Sequence, residues 1–389
     1  MAATLLHQID EVVRNGNCSG CGACLRLDAA LKLELDEFGF SRPVQVGPST
    51  AGPRAAEVFA ASCPGRIVRA GREPDADRHP TMGPVVASWR AWAADPEVRR
   101  AGSSGGTLTA LAAWLTETGR VARVIGTKPG ADARRTVPIA ITSRAQALAS
   151  AGSRYAPVTG SLPAPGGATI GAPCRISALR AMGPDDEILL SFFCAGTPSQ
   201  RATDDLAAEL GVPGPAQQLQ YRGDGWPGRF RVAADGAEGT MSYEQSWGER
   251  LGRQVHPRCK LCPDGVGESS DITAADLWDV DDRGYPSFAD AEGVSALIAR
   301  TARGYQLVLE AAAAGVLVIH PLRIERLAAA QPLQEERRST LAGRLLGAVL
   351  AGRRVPRYRG FGLVSLALPR LRLSIRAARG TWRRTRQAS

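Results

Sequence analysis

Lysine is almost missing from this chain: Lys32, Lys128 and Lys260 are the whole complement among 48 basic residues in 389 positions, and the rest are arginine. With alanine and glycine abundant, that skew matches a GC-rich coding bias and weakens any reading of arginine as such. Long apolar runs are missing too. None approaches the roughly 18 residues that span a bilayer. Met1 to Val13 carries Asp10 and Glu11 and lacks the basic-then-apolar build of a signal peptide, so a cytoplasmic protein is expected. No internal repeat of fixed period is present. Histidine is scarce: of His7, His79, His256 and His320, only His256 lies near a cysteine motif, where it reads as a surface or supporting residue. No catalytic acid or base can be named.

What is present excludes disorder. With 44% hydrophobic and 22% charged residues, the chain can bury a large core, and its length suggests two to three domains. The net charge of +10 is not spread evenly. From Leu341 to Ser389 there are twelve arginines and no acidic residue, so the remainder is slightly acidic. Basic character belongs to the tail, and no nucleic-acid partner is expected for the body.

Four regions emerge. Residues 1–75 hold Cys18, Cys21, Cys24 and Cys63 and end in a polar linker, Gly71 to Pro80. Residues 84–160 read as strand (Val85 to Trp92), Gly/Ser turn (Gly102 to Gly106), helix (Thr107 to Thr118) and strand (Val121 to Ile125), the order of an α/β layer. Residues 161–330 contain strand candidates Ala168–Gly171 and Glu187–Phe193, each leading into a cysteine. Residues 331–389 form the basic tail.

Eight cysteines without an export signal point to metal ligation rather than disulfides. Cys18-x2-Cys21-x2-Cys24, with Gly20, Gly22 and Ala23 between, lets one loop wrap three corners of a cubane, and Cys63-Pro64 adds a fourth thiolate. Bacterial ferredoxins use the same elements with a shorter last gap. Structural zinc normally pairs two separated Cys-x2-Cys units, so three in a run fit 4Fe–4S better. Cys259-x2-Cys262 alone is ambiguous among zinc, redox dithiol and cluster ligand. Cys174 and Cys194, taken singly, read as buried core thiols. The count nevertheless divides into two fours.

Ser103, Ser104, Gly105, Gly106 and Thr107 precede the helix, where free N–H groups favour a phosphate, although the turn is neither GxGxxG nor a P-loop. Alone it reads better as a flexible turn with a serine cap.

Together the motifs resemble the coenzyme F-420-reducing hydrogenase/dehydrogenase beta-subunit family, which includes the 7-hydroxymethyl chlorophyll a reductases. The matching stretches are Cys18–Cys24, Gly102–Thr107, Gly152–Tyr155, Gly171–Arg180, Phe193–Ser199, Tyr221–Gly228, Cys259–Asp264 and Asp271–Trp278, in family order. The resemblance implies an α+β fold: an α/β-like flavin domain with an N-terminal ferredoxin-like iron–sulfur segment. It implies FAD at the Ser103–Thr107 turn and two 4Fe–4S clusters, the second on Cys174, Cys194, Cys259 and Cys262. Arg154 is an added anion contact where the family usually has lysine. Arg175 stands in for a common Gln, and Ala275 for a Gly.

The expected activity is an electron-transferring oxidoreductase that exchanges a hydride with coenzyme F-420, or takes electrons from ferredoxin or another redox protein, and passes them to a substrate or partner. Its rivals are a ferredoxin-dependent reductase of a specific small organic substrate, and a zinc-stabilised binding module. In the tail, Arg372, Arg376, Arg379, Arg383 and Arg386 form one helical stripe beside Leu371, Ile375, Ala378 and Trp382. That stripe reads as a peripheral contact with an anionic membrane at its inner face, against ferredoxin docking, attraction of the deazaflavin's polyanionic tail, or a solvated end.

Overall fold

The computed structural model describes residues 4–183, 186–278 and 292–387. Its centre is a mixed eight-stranded sheet. In chain order the strands are β1 (Ala87–Ala93), β2 (Arg123–Pro129), β3 (Thr136–Ile141), β4 (Gly167–Gly171), β5 (Ile188–Phe192), β6 (Ile272–Asp276), β7 (Ser295–Ala299) and β8 (Leu317–Pro321). Across the sheet they run β8-β1-β7-β6-β5-β4-β2-β3. The inner four, β2, β4, β5 and β6, are parallel, and the flanking pairings are antiparallel. A mixed α/β architecture is therefore what forms. Strands from both sides of the Pro/Gly-rich segment at 162–167 share this one sheet.

Both faces are covered, which suits a sheet with a parallel centre. On one face Trp89, Ala91, Val124, Leu190, Ile272 and Leu297 pack under the helices Thr107–Glu117 and Ala302–Ala313. On the other, Leu189 meets helix Pro173–Met182, and Ile298 meets Leu327. Antiparallel β7 reverses the chain direction between β6 and β1, so β1 runs the same way as the inner strands. The carboxyl ends of β1, β4, β5 and β6 thus share one edge, where open α/β sheets place their ligands.

Two further layers complete this edge. Residues between β5 and β6 form a small unit, helix Gln200–Glu209 against the three-stranded sheet Gln218–Gln220, Arg229–Ala234 and Ala237–Ser242. The N-terminal segment packs helices Leu5–Arg14 and Ala55–Ser62 with the hairpin Leu31–Leu35 and Ser41–Gln45 around Leu33 and Phe59.

The tail is tied into the body. Arg357–Arg359 pairs in parallel with Ile67–Arg69, and Tyr358 donates to the Leu261 carbonyl at 2.5 Å. Helix Leu371–Gln387 forms as the arginine spacing predicts, but it docks by Ser374 and Thr381, which are buried. A Cβ at Gly343 would overlap the Ser374 carbonyl, and one at Gly347 the Ala378 carbonyl, so helix Leu341–Leu350 approaches almost backbone to backbone. Small residues allow that separation. Gly347→Val should force the helices apart and cost about 1–3 kcal/mol. Limited proteolysis should then cut between residues 352 and 370 with the central sheet still intact; equal resistance to wild type would show that the crossing tolerates a side chain.

Candidate functional site

The turn after β1 is built on the sheet. The Gly105 N–H donates to Ser295 Oγ (3.0 Å), and its carbonyl accepts from Ala93 N (2.7 Å). Ser104 Oγ donates to the Val294 carbonyl at 2.8 Å. Gly105 faces strand backbone: a Cβ there would lie 2.5 Å from the Ala91 carbonyl oxygen. Gly106 takes a left-handed φ of 71° and starts helix Thr107–Glu117. That leaves Ser103 Oγ and Thr107 Oγ1, both buried and, among the described residues, without a hydrogen-bond partner. Buried hydroxyls are seldom left unpaired, so this pair fits an acceptor-rich group such as a phosphate at the helix start.

Beside the turn lies Arg222, which is 1% exposed. Its guanidinium donates to the Ser103 carbonyl (2.7 Å), Asp276 Oδ2 (2.6 Å), the Pro227 carbonyl (3.0 Å) and Tyr155 Oη (3.3 Å). Trp226, Tyr243 and Trp278 surround it, with ring centroids 5.0, 4.6 and 5.3 Å from its central carbon. Burial is the largest single influence and opposes the charge, but Asp276 together with Tyr155 and Tyr243 outweighs it and holds the pKa above the ordinary arginine value. This hub joins four of the sequence motifs.

Arg154 is placed differently from its expected role. Its nitrogens donate to Thr136 Oγ1, to the carbonyls of Ala133 and Arg135, and to that of Leu219. It also lies over the Tyr221 ring. Every guanidinium nitrogen is engaged in bracing the small unit, so its anion-contact role finds no support in the geometry.

The eight cysteines are all free thiols. Cys174 follows β4 in the first turn of helix Pro173–Met182, and Cys194 follows β5. Cys18, Cys21, Cys24 and Cys63 together line one apolar-walled cavity with Phe59 and Met182. Cys18, Cys21 and Cys63 lie within electrostatic reach of Cys24, as do Cys194 and Cys262 of Cys174, and Cys259 of Cys194. The two sets adjoin where Cys21 packs against Ile176 and Leu179 of the helix that carries Cys174. Hydrogen-bonding influence from Cys174 draws the Cys21 thiol down to about 6, while the same interaction and burial raise Cys174. Burial raises Cys18, Cys24, Cys63 and Cys259, and pushes Cys194 up to about 12.

Thiols held this way need compensating positive charge to ligate as thiolates. Among the described residues no group of three or more His, Cys, Asp or Glu side chains is arranged to hold a metal ion. A cubane takes each thiolate at a different iron corner. Four cysteines lining a cavity are a donor set that suits such a group.

Arginines frame both sets. Arg258, 2% exposed, donates to the carbonyls of Pro64 (2.8 Å) and Leu261 (3.2 Å), joining the Cys63 loop to the Cys259 loop. Arg337, from helix Pro332–Ser339, donates to the Cys194 and Cys259 carbonyls at 2.8 and 2.6 Å. His256 is buried, with Nε2 2.9 Å from Arg42 Nη1 and Nδ1 2.9 Å from the Arg258 backbone N. Burial and then Arg42 lower its pKa to about 3, so it is neutral at physiological pH. Arg222, Arg258 and Arg337 escaped the sequence reading; only Arg222 carried a signal, its place in the Tyr221–Gly228 motif.

Two family models match. Residues 88–162 match the N-terminal domain, and residues 167–325 the C-terminal domain, of the coenzyme F420 hydrogenase/dehydrogenase beta subunit. The chain belongs to that family. The matched region holds the turn, Arg222 and the second cysteine set; the first set and the tail lie outside it. Among solved structures the chain is similar to one from the F420-reducing [NiFe] hydrogenase complex of Methanosarcina barkeri, with a TM-score of 0.50 and 19% identity over 69% of this chain and 95% of that one. At that identity the likeness is one of fold. No curated protein sequence matches the chain.

Arg222→Leu should leave Asp276 unpaired and cost about 3 kcal/mol or more, whereas Arg222→Leu with Asp276→Leu should recover part of the loss. Chemical denaturation of both variants checks it. Equal destabilisation would place the energy in the carbonyl contacts instead of the ion pair.

Proposed function

We propose that this chain is an iron–sulfur flavoprotein oxidoreductase that passes electrons between coenzyme F-420, or ferredoxin, and a substrate or partner protein. The family supplies the oxidoreductase class. The observation that carries the finer reading is the cavity that Cys18, Cys21, Cys24 and Cys63 line together, with Cys174 and Cys194 following β4 and β5 at the sheet edge that also bears the unpartnered Ser103 and Thr107 hydroxyls. When bound, FAD supplies hydride chemistry and two 4Fe–4S clusters supply one-electron carriage. Cys18, Cys21, Cys24 and Cys63 would hold one cluster; Cys174, Cys194, Cys259 and Cys262 the other. Ser103, Thr107 and the helix N-terminus would bind flavin phosphate, while Arg222 fixes the turn from behind. A reductase of a specific organic substrate, fed by ferredoxin, would use the same residues.

The test is anaerobic purification with iron, sulfide and flavin quantification. Cys174→Ser should remove about half the iron. Ser103→Ala with Thr107→Val should lower flavin content without loss of stability, because neither hydroxyl has a protein partner to lose. Full flavin in that variant would move the phosphate elsewhere. Gly105 is unsuitable for this test, since any side chain there strikes the Ala91 carbonyl.

The tail is read as a peripheral anchor to an anionic membrane. No described helix is long and apolar enough to cross one. Leu346, Val349, Leu350, Leu371, Ile375 and Trp382 are nevertheless exposed on the two packed helices, among arginines without acidic neighbours in sequence. Truncation at Thr340 would also remove the strand paired with Ile67–Arg69, so substitution is the cleaner probe. Ile375→Gln with Trp382→Gln should abolish flotation with phosphatidylserine vesicles at low salt; flotation equal to wild type, or none by either, would remove the membrane role.

A further inference from the structure

Among the described residues, the buried guanidinium of Arg175 has two nitrogens without a partner. Arg175 follows Cys174 in helix Pro173–Met182 and is 6% exposed, yet its Nε and one terminal nitrogen, Nη2, find no hydrogen-bond acceptor. The carboxylate within its electrostatic reach, Glu187, is already committed: it receives Arg26 at 2.9 Å and the Thr169 hydroxyl at 2.6 Å. The remaining charge neighbours are Arg26, which repels it, and the sulfurs of Cys21 and Cys174. Those sulfurs belong to different cysteine sets, and Cys21 packs against Ile176 and Leu179 of the helix that carries Cys174 and Arg175. Leaving guanidinium donors buried and unpaired is costly, by kilocalories per mole in general. Arg154, Arg222 and Arg300 show the usual arrangement, with every nitrogen engaged.

From this we infer that Arg175 is a positioning charge shared by the two thiolate sets, one that raises the reduction potential of the cluster it faces. The inference rests on the cluster reading above. Four thiolates leave a cubane net negative, and reduction adds one electron with no bond made or broken. A fixed cation in a low-dielectric site stabilises the more negative, reduced form. Arginine here thus differs in consequence from glutamine, which could donate a hydrogen bond but carries no charge.

The experiment is a dithionite titration of the anaerobically purified full chain, followed by EPR, on wild type, Arg175→Gln and Arg175→Lys, with iron and sulfide measured on each sample. At a fixed potential, Arg175→Gln should lower the reduced-to-oxidised ratio of at least one cluster about tenfold, equivalent to about 59 mV for a one-electron couple. Arg175→Lys should stay within about twofold of wild type. Glutamine and wild-type curves that superimpose at full iron content would overturn the inference while leaving the cluster reading intact. A lysine variant displaced by tenfold would also overturn it, whether or not the glutamine variant retains its iron, because shape and not charge would then be at work. Absence of iron and sulfide from the wild type would overturn both.

Discussion

The Arg222 guanidinium is the constraint from which the candidate site is laid out. It reaches the turn after β1, the carboxyl end of β6, the Trp226–Pro227 loop and Tyr155, segments far apart in sequence. A planar fork with five donors can face four acceptors at once, which an ammonium group cannot do with fixed geometry. The charge is tolerated because Asp276 answers it and three aromatic faces surround it. The Ser103 carbonyl is thereby held from behind, and the Ser103 and Thr107 side chains are left for something else to meet.

Arginine plays the same part elsewhere. Arg300, fully buried, collects the carbonyls of Met82, Pro84 and Val266 and the Thr273 hydroxyl. Arg338 joins helix Pro332–Ser339 to the Pro263 carbonyl and to Glu268, beside the Cys259–Cys262 loop. Asp264 of that loop accepts the backbone N–H groups of Val266 and Gly267. The compositional skew therefore misled in one respect. Whatever its genetic origin, arginine supplies the internal bracing of a fold whose irregular connections leave many carbonyls inside.

Much of the sheet was legible. The segment from Val85 to Trp92, the helix at Thr107 and the segment from Glu187 to Phe193 were readable because apolar patterning and glycine punctuation are local signals, and the elements fall within a few residues of expectation. The grouping of the cysteines rests on spacing for the first set, and on count and resemblance for the second. The small sheet at Gln218–Ser242 was not, since its strands are short, polar and partly exposed. Nor was the face by which the last helix docks: the leucine and tryptophan stripe suggests burial, but Ser374 and Thr381 are the residues inside. Arg154 shows the limit of motif matching, because position in a motif does not say which way a guanidinium points.

The two ends of the chain interlock around the first cysteine set. Asn17 donates to the Arg354 carbonyl, Arg353 donates to that of Gly16, and Arg357–Arg359 closes beside Ile67–Arg69. β1 likewise waits for two partners some two hundred residues later in the sequence. These are contacts of high sequence separation, which form late because the loop must close before it is rewarded. During synthesis, which runs from the N-terminus, Cys18 to Cys63 emerge first but gain the bracing contacts of residues 353–359 only once those residues have been made. Folding of this segment is therefore a question of timing as much as of geometry: its loops stay open to rearrangement until that late bracing arrives.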